Sequence, residues 1–477
     1  MIKELNNLYT DAYRIYSVFR DEPFSFMLES GMDHEELGRY SIIGSDPFRV
    51  LKSKGNMVCV LTRDLYTDTE SEIQFEGNPF DVLDELLAEY RSTERSDLPF
   101  LGGAVGYLSY DLGHHIERLH CTTVDDINVP DCFMGFYDGI IIIDHLEHRV
   151  YLSSLGIAAN ESDRIGYLES KLRQGLQTDD DRLIPNLPAA WEETEIKSNF
   201  TREEYMEALD AIHEYIRRGD IYQVNLTQRF EADMQCDPQT LYQVLRKINP
   251  APFASIVEFG EGTIVSSSPE RYLKLREKMM QTRPIKGTMP RGKTSEEDQK
   301  NREILERSEK DHAELLMIVD LERNDFGRVA KTGSVKVTDL FSIEVYPTVF
   351  HLVSTVSGEL RDDKDAVDLI RASFPGGSIT GAPKIRAMDV IDELEPTSRN
   401  IYTGSIGYIG FNGDIDLNIV IRTFVCKDGK AYFQAGGGIV WDSDNESEYE
   451  ETYHKAGALM KSISIANTIA KNKSMEE

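Results

Sequence analysis

The sequence predicts an α+β protein, and three observations carry that reading. Short β-branched runs alternate with helix-period segments over the first 176 residues. A capping box, Thr201-Arg202-Glu203-Glu204, opens a helix that runs to about Arg218 and stops at Gly219. Beyond it, strands and glycine-rich turns are accompanied by a long helix at about 297–320 and a final helix from about Glu446 to Ile469.

In chain order, the strand candidates of the first region are Met57-Val58-Cys59-Val60-Leu61, Gly139-Ile140-Ile141-Ile142-Ile143 and Arg149-Val150-Tyr151-Leu152. Helical pattern falls at 80–91 and 161–176. The isoleucine run is the longest clean apolar stretch and reads as a buried strand. Residues 177–199 are acidic and proline-bearing, with Thr178-Asp179-Asp180-Asp181 at one end and Glu192-Glu193-Thr194-Glu195 near the other. They read as a linker between residues 1–176 and 200–470, or as a long surface loop within one domain. The chain has no internal repeat of solenoid period and no low-complexity tract.

Composition excludes several classes. Of 477 residues, 40% are hydrophobic, which is enough for a sizeable core and rules out collagen-like or disordered chains. The formal charge of −31 repels nucleic acid and anionic lipid, so neither is an expected partner. The same field repels an anionic substrate, whose site must then carry local cations or a metal. Five cysteines (Cys59, Cys121, Cys132, Cys236, Cys426) form no CxxC pair, as expected in a reducing, cytoplasmic setting. The residues after Met1 do not read as a signal peptide, and no apolar stretch approaches the roughly 20 residues of a membrane span.

Five segments could carry chemistry. Glu314 lies in the apolar run Ala313-Glu314-Leu315-Leu316-Met317-Ile318-Val319; burying it demands a partner or a metal, unless it faces solvent. Glu448 and Glu451 share a helix face. Such oxygens suit Mg²⁺, although acidic helix faces are usually just solvated. Pro375-Gly376-Gly377-Ser378-Ile379-Thr380-Gly381-Ala382-Pro383-Lys384 imitates a phosphate loop but has Ala382 where the Walker pattern needs Lys. It is a glycine-rich turn with Pro383 suited to open a helix. Whether the helix terminus takes an anion or the turn is merely tight stays open. Ala435-Gly436-Gly437-Gly438 follows the strand Ala431-Tyr432-Phe433 and lets a ligand approach, or forms a bulge. Finally, Lys286 in Arg283-Pro284-Ile285-Lys286-Gly287-Thr288 could act as a nucleophile and Glu270 in Ser267-Ser268-Pro269-Glu270 as a general acid. Spacing alone does not bring those two together.

Taken in order, these segments resemble one family, the chorismate-utilising enzymes that include component I of anthranilate synthase and of aminodeoxychorismate synthase. The resemblance rests on Gly219-Asp220-Ile221-Tyr222-Gln223-Val224-Asn225-Leu226, Ser268-Pro269-Glu270, Pro284-Ile285-Lys286-Gly287-Thr288 and Val319-Asp320-Leu321-Glu322-Arg323-Asn324-Asp325. It continues through Pro375 to Lys384, Ile419-Val420-Ile421-Arg422 and Glu448 to Thr452. These cover roughly 200–460, and Leu28-Glu29-Ser30 with Gly102-Gly103-Ala104-Val105-Gly106-Tyr107 extend the match toward the N-terminus.

The resemblance implies a large β-sandwich-like core of antiparallel sheets flanked by helices. It implies Glu314 and Glu451, with Glu448 close by, as Mg²⁺ ligands. Arg422 and Tyr402 are implied as binders of the enolpyruvyl carboxylate, with Gly287, Thr288, Thr380, Gly436, Gly437 and Gly438 lining the site. Glu270 resembles the general acid, and His351 matches a histidine near the substrate. Gln223 replaces the water-activating Lys of isochorismate and salicylate synthases, which favours ammonia as nucleophile. Lys286 stands where anthranilate synthases usually carry Ala, and the aminodeoxychorismate branch uses such a lysine to attack ring carbon C2 before ammonia enters at C4. Asn249-Pro250-Ala251-Pro252-Phe253-Ala254 points the same way, less strongly. The expected function is therefore amination of chorismate to 4-amino-4-deoxychorismate for p-aminobenzoate and folate, with anthranilate synthase component I as the alternative. No Gly-x-Cys-x-Gly elbow is present, so a separate glutamine amidotransferase subunit is implied. A tryptophan site near Ser30, Pro252, Phe253 and Ala254 is a further implication.

Overall fold

The isoleucine run shows how the layers are built. In the computed structural model, Ile140 and Ile142 enter one apolar cluster while Ile141 and Ile143 enter another on the opposite face. A strand buried on both sides needs no polar alternation, so the run is apolar throughout. The structure describes residues 1–30, 38–67, 69–178, 182–184, 186–346 and 349–476.

Two large sheets face each other. The first runs Ile2–Leu5, Arg149–Ser153, Ile140–Asp144, Tyr40–Gly44, Phe26–Glu29, Phe253–Glu258, Thr263–Ser268, Thr423–Lys427, Lys430–Ile439, Gln223–Asp233 and Ile196–Ser198. The short strand Gly381–Ala382 adds to the start of Gln223–Asp233. The second runs Ile285–Pro290, Val349–Glu359, Met279–Arg283, Arg271–Arg276, Ile415–Asn418, Ser405–Gly410, Gly103–Leu108, Cys132–Tyr137, Arg49–Lys54, Met57–Asp64 and Thr69–Glu76, with Lys336–Val345 on Val349–Glu359. Strand pairs in both are antiparallel. Phe26, Ile142, Val257 and Val425 of the first sheet pack with Val105, Tyr107, Phe133 and Ile406 of the second, forming the sandwich interior.

Helices cover the outer faces. Pro238–Ile248, Glu161–Gly175 and Asn445–Glu476 lie on the first sheet, burying Leu245, Leu168 and Ile463 among others. Pro79–Glu89 and Glu309–Gly327 lie on the second sheet, Arg202–Arg218 and Lys384–Leu394 lie against strand Gln223–Asp233 of the first, and all four share one apolar cluster. The capping box at Thr201 forms, with both reciprocal bonds, and Gly219 ends the helix in the left-handed conformation.

Three expectations are refined. The helix expected at about 297–320 is two, Ser295–Glu306 and Glu309–Gly327. Ser308 breaks it, because its hydroxyl accepts from the Asp311 amide and caps the second helix. The glycines at 436–438 are not a bulge after a strand but part of one continuous strand, Lys430–Ile439. The boundary at 177–199 divides the chain, not the core: Phe26–Glu29 pairs with Phe253–Glu258, and Gly103–Leu108 with Ser405–Gly410. Residues 196–198 of that segment form the last strand of the first sheet. Asp179, Asp180, Asp181 and Pro185 lie outside the described residues. All five cysteines are free. Among the described residues no helix is long and apolar enough to cross a membrane.

Candidate active site

Two of the places where the chain crosses from one sheet to the other supply site residues. Ser268-Pro269-Glu270-Arg271 links strand Thr263–Ser268 to strand Arg271–Arg276, and Ile419 to Arg422 links Ile415–Asn418 to Thr423–Lys427. The crossings are laced together. The Ile419 amide donates to the Glu270 carbonyl at 3.0 Å, the Ser267 amide to the Arg422 carbonyl at 3.1 Å, and the Ser268 hydroxyl to the Ile419 carbonyl at 2.6 Å. Regular ladders end at such corners, which frees side chains to point into the gap between the sheets.

Strand Ile285–Pro290 brings Lys286 to the same place. Its register against Val349–Glu359 shifts between Lys286 and Thr288, a bulge centred on Gly287 with φ 77°. A Cβ there would stand 2.8 Å from Asp311 Cγ and Leu305 Cδ1, so only glycine fits. Lys286 Nζ donates to the Ser378 carbonyl at 3.0 Å. The Ile285 amide donates to Glu270 Oε1 at 3.4 Å. Burial pushes the Lys286 amine below the usual lysine range; Glu314 opposes that and the Lys455 ammonium reinforces it. Burial raises the Glu270 carboxyl, against a hydrogen bond from Ser378 and the charge of Lys286. The nucleophile and acid candidates that spacing left apart therefore meet around Ser378.

Thr288 and His351 face each other across the ladder, with Thr288 Oγ1 and His351 Nδ1 2.9 Å apart. His351 is pushed down to about 4 by burial and by the Arg422 guanidinium, so it is neutral at pH 7. Arg422 has φ 54° and is itself lowered by burial, while Tyr402 and Glu451 pull it back up. Burial raises the Tyr402 phenol to about 12. His351, Arg422 and Tyr402 are thus close enough to feel one another.

Gln223 opens strand Gln223–Asp233 and is 2% exposed. Its Oε1 has no hydrogen-bond partner. A Cβ on Gly438 would fall 2.1 Å from its Nε2, so that glycine admits the Gln223 side chain. Gly436 admits the Leu226 carbonyl, and Gly437 looks toward Glu448 and Glu451. Thr380 is fully buried, and its hydroxyl donates to the Gly376 carbonyl at 3.0 Å within the turn. Pro383 precedes helix Lys384–Leu394 as its N-cap, and Lys384 is engaged by Asp325 at 2.6 Å and the Ser373 carbonyl at 2.7 Å.

Glu314, Glu448 and Glu451 come from the two helices that flank this gap. Glu314 faces inward, with its side chain 13% exposed. Lys310 Nζ lies 3.9 Å from Glu314 and 3.7 Å from Glu448; Lys455 Nζ lies 2.5 Å from Glu451 and donates to the Gly436 carbonyl at 2.9 Å. Burial raises Glu314; in Glu451 burial also pushes upward, but the charge and hydrogen bond of Lys455, with the charges of Lys310 and Lys286, together lower it. An all-oxygen, multiply anionic donor set fits a hard cation such as Mg²⁺. Among the described residues, however, no three His, Cys, Asp or Glu side chains are grouped as a metal site, and the carboxylates reach toward the two lysines instead. Lys310 and Lys455 escaped the sequence reading, though each stands four residues from a glutamate on one helix face. Ser378 also escaped it, because a serine in a glycine-rich turn carries no distinctive signal.

A cavity of about 160 Å³ lies between the sheets, lined in part by Ser30, Pro252, Phe253, Ala254 and Arg271. The four positions named for tryptophan are therefore brought together. Arg271 follows Glu270 directly, pairs with Asp416 at 2.9 and 3.0 Å, and stands 5.2 Å over the Phe253 ring.

Comparison with known proteins places this geometry. A family profile described as chorismate binding enzyme matches residues 47–461. Aminodeoxychorismate synthase component 1 of Escherichia coli strain K12 is 43% identical over 443 residues, covering 92% of this chain and 93% of that protein. Anthranilate synthase component 1 of Acetivibrio thermocellus is 39% identical over 464 residues, covering 95% and 93%. The crystal structure of anthranilate synthase component I from Streptococcus pneumoniae TIGR4 superposes with a TM-score of 0.78 at 32% identity, covering 90% of this chain and 94% of that one.

Proposed function

The chain belongs to the chorismate binding enzyme family, and from that premise we propose that it aminates chorismate to 4-amino-4-deoxychorismate, using ammonia from a separate glutamine amidotransferase subunit. The observation that carries this reading is Lys286: a half-buried lysine whose amine is shifted toward its neutral form by desolvation, beside the buried carboxyl of Glu270.

The chemistry follows from those two groups. The neutral Lys286 amine attacks C2 of the ring. Both conjugated ring double bonds shift, C1=C2 to C1=C6 and C5=C6 to C4=C5, and the C4 hydroxyl leaves as water with the proton of Glu270. Ammonia then attacks C4, both double bonds shift back, Lys286 is expelled as the neutral amine, and the Glu270 carboxylate takes back a proton from the new ammonium. The enolpyruvyl group is untouched. Gln223 is not a base, so water is not activated beside the ring. Arg422 and Tyr402 would hold the enolpyruvyl carboxylate, the guanidinium as a fork. His351, neutral at pH 7, would offer a hydrogen bond without adding charge. Glu314, Glu448 and Glu451 would hold Mg²⁺, which when bound supplies positive charge against the ring carboxylate. The cavity at Ser30 and 252–254 would take tryptophan, its indole against Phe253 and its charged ends toward the ionic side chains of the wall.

The relatives named anthranilate synthase, at 39% identity, favour a second reading in which ammonia adds at C2 and pyruvate is lost. One assay separates the two. Purified chain is incubated with chorismate, Mg²⁺ and ammonium salt, and products are resolved by chromatography and mass. A product that keeps the enolpyruvyl group, and yields p-aminobenzoate only with an added lyase, is expected. Pyruvate and fluorescent anthranilate without a lyase would overturn the proposal in favour of the second reading.

A further inference from the structure

A buried ion pair behind the site joins the segments that carry its reacting groups. Arg399 and Glu395 are four residues apart in the loop that follows helix Lys384–Leu394, with side chains 1% and 3% exposed. Arg399 Nε donates to Glu395 Oε2 at 2.9 Å and Nη2 to Oε1 at 2.7 Å. The same Oε1 accepts from the Thr227 amide at 2.9 Å and the Thr227 hydroxyl at 2.8 Å. What the guanidinium does with its remaining donors sets it apart from a structural pair. Nη1 donates to the Ile379 carbonyl at 2.9 Å, and Nη2 to the Asn225 carbonyl at 2.6 Å.

Those two carbonyls belong to the elements that present the chemistry. Ile379 follows Ser378, whose carbonyl holds the Lys286 amine. Asn225 is two residues beyond Gln223 on strand Gln223–Asp233, and its amide donates to the Thr380 carbonyl at 2.8 Å. The turn at 376–382 is also tied to this part of the chain by the two-residue strand Gly381–Ala382 and by the Tyr222 amide, which donates to the Ala382 carbonyl at 2.8 Å. Two bonds to the carboxylate and one to each carbonyl take four N–H groups of the planar fork, more than the three a lysine ammonium carries.

We propose that Arg399 is a positioning residue for the reaction: neutralised by Glu395, its guanidinium clamps the Ile379 and Asn225 carbonyls together, and so fixes the Ser378 carbonyl that aims the Lys286 amine. The inference rests on the reading of Lys286 as the attacking group. Burial of the pair supports it. Two charges removed from water are costly relative to apolar residues of similar volume, so folding alone gives little reason to keep them.

The test compares the parent with Arg399→Lys and with the double variant Arg399→Met/Glu395→Gln. The double variant removes both charges while the side-chain amide introduced at position 395 still offers an oxygen to Thr227, which guards against a merely unfolded protein; near-UV circular dichroism and melting check the fold. Ammonia-dependent consumption of chorismate is measured, whatever the aminated product. The expected result for both variants is a fall in kcat of at least tenfold with KM for chorismate changed less than threefold, since a misplacement of about 1 Å costs on the order of 100-fold in rate. The rate of reductive methylation at Lys286, read by peptide mass, should change at least threefold in both. A folded double variant with parental kcat, or with parental labelling of Lys286, would overturn the inference alone. Full turnover by Lys286→Ala would overturn the reading of Lys286 and this inference with it, whatever the Arg399 variants do.

Discussion

His351 offers the most direct physical test of the site. The residue is 8% exposed, touches Thr288, and lies near the guanidinium of Arg422. Burial and that positive charge push it from the ordinary 6.5 down to about 4. The sign follows from counting protons. Between pH 6.5 and about 4 the unfolded chain takes up a proton at residue 351 that the folded chain refuses, so acid favours unfolding across that window. At about 1.4 kcal/mol for each pH unit of difference, the loss on going from pH 7 to pH 4 comes to about 3 kcal/mol. The perturbation is His351→Gln, which keeps a polar side chain and cannot be protonated. Urea unfolding of both proteins at pH 7, 6, 5 and 4 gives the stability difference at each pH. The variant should gain on the parent by about 3 kcal/mol over that range. Proton NMR of the ring, identified by its absence in the variant, gives the same answer without unfolding. A gap that does not change with pH, or a ring that titrates near 6.5, would refute the argument.

Other outcomes can be stated briefly. Lys286→Ala should lose chorismate amination at C4 by roughly 100-fold or more in kcat, measured with ammonium salt; it would also show whether nitrogen is diverted to C2. Glu451→Gln should raise the Mg²⁺ concentration for half-maximal activity about tenfold, equivalent to about 1.4 kcal/mol; an unchanged Mg²⁺ titration removes Glu451 from the ligand set. In Gly436→Ala the new Cβ would meet the Leu226 carbonyl oxygen at 2.1 Å, forcing strands Lys430–Ile439 and Gln223–Asp233 apart. A loss of about 1–3 kcal/mol in unfolding experiments is expected, and parental stability would contradict the close approach. Tryptophan should bind the parent with one-to-one stoichiometry by calorimetry, and Phe253→Ala should weaken it about tenfold through the lost ring contact; no heat with the parent would exclude that ligand.

Much of this protein was legible in the order of its residues. The helix at Thr201 follows from a capping box whose partners are three residues apart, and local chemistry of that kind does not depend on the rest of the chain. The isoleucine strand follows from composition alone, since nothing but burial on both faces suits four successive isoleucines. The break at Ser308 was missed because serine within a helical period is ambiguous. Only the hydrogen bond from the Asp311 amide shows that it caps a new helix.

The sequence by itself determined the element types, the family resemblance and the reactive residue types: a lysine, a general-acid carboxyl and clustered glutamates in a strongly acidic chain. Only the tertiary structure decided how those groups act on one another. Glu270 and Lys286 are separated along the chain by a hairpin, and they meet because both sheets end their ladders at the same corner. Lys310 and Lys455 change what the glutamates see, and burial rather than any neighbour in sequence sets the state of Lys286. The Arg399–Glu395 pair has the spacing of an ordinary surface salt bridge. Its reach to the Ile379 and Asn225 carbonyls exists because three distant segments converge on one buried guanidinium. Charge, desolvation and hydrogen-bond reach depend on distance through space, and distance through space is what the fold supplies.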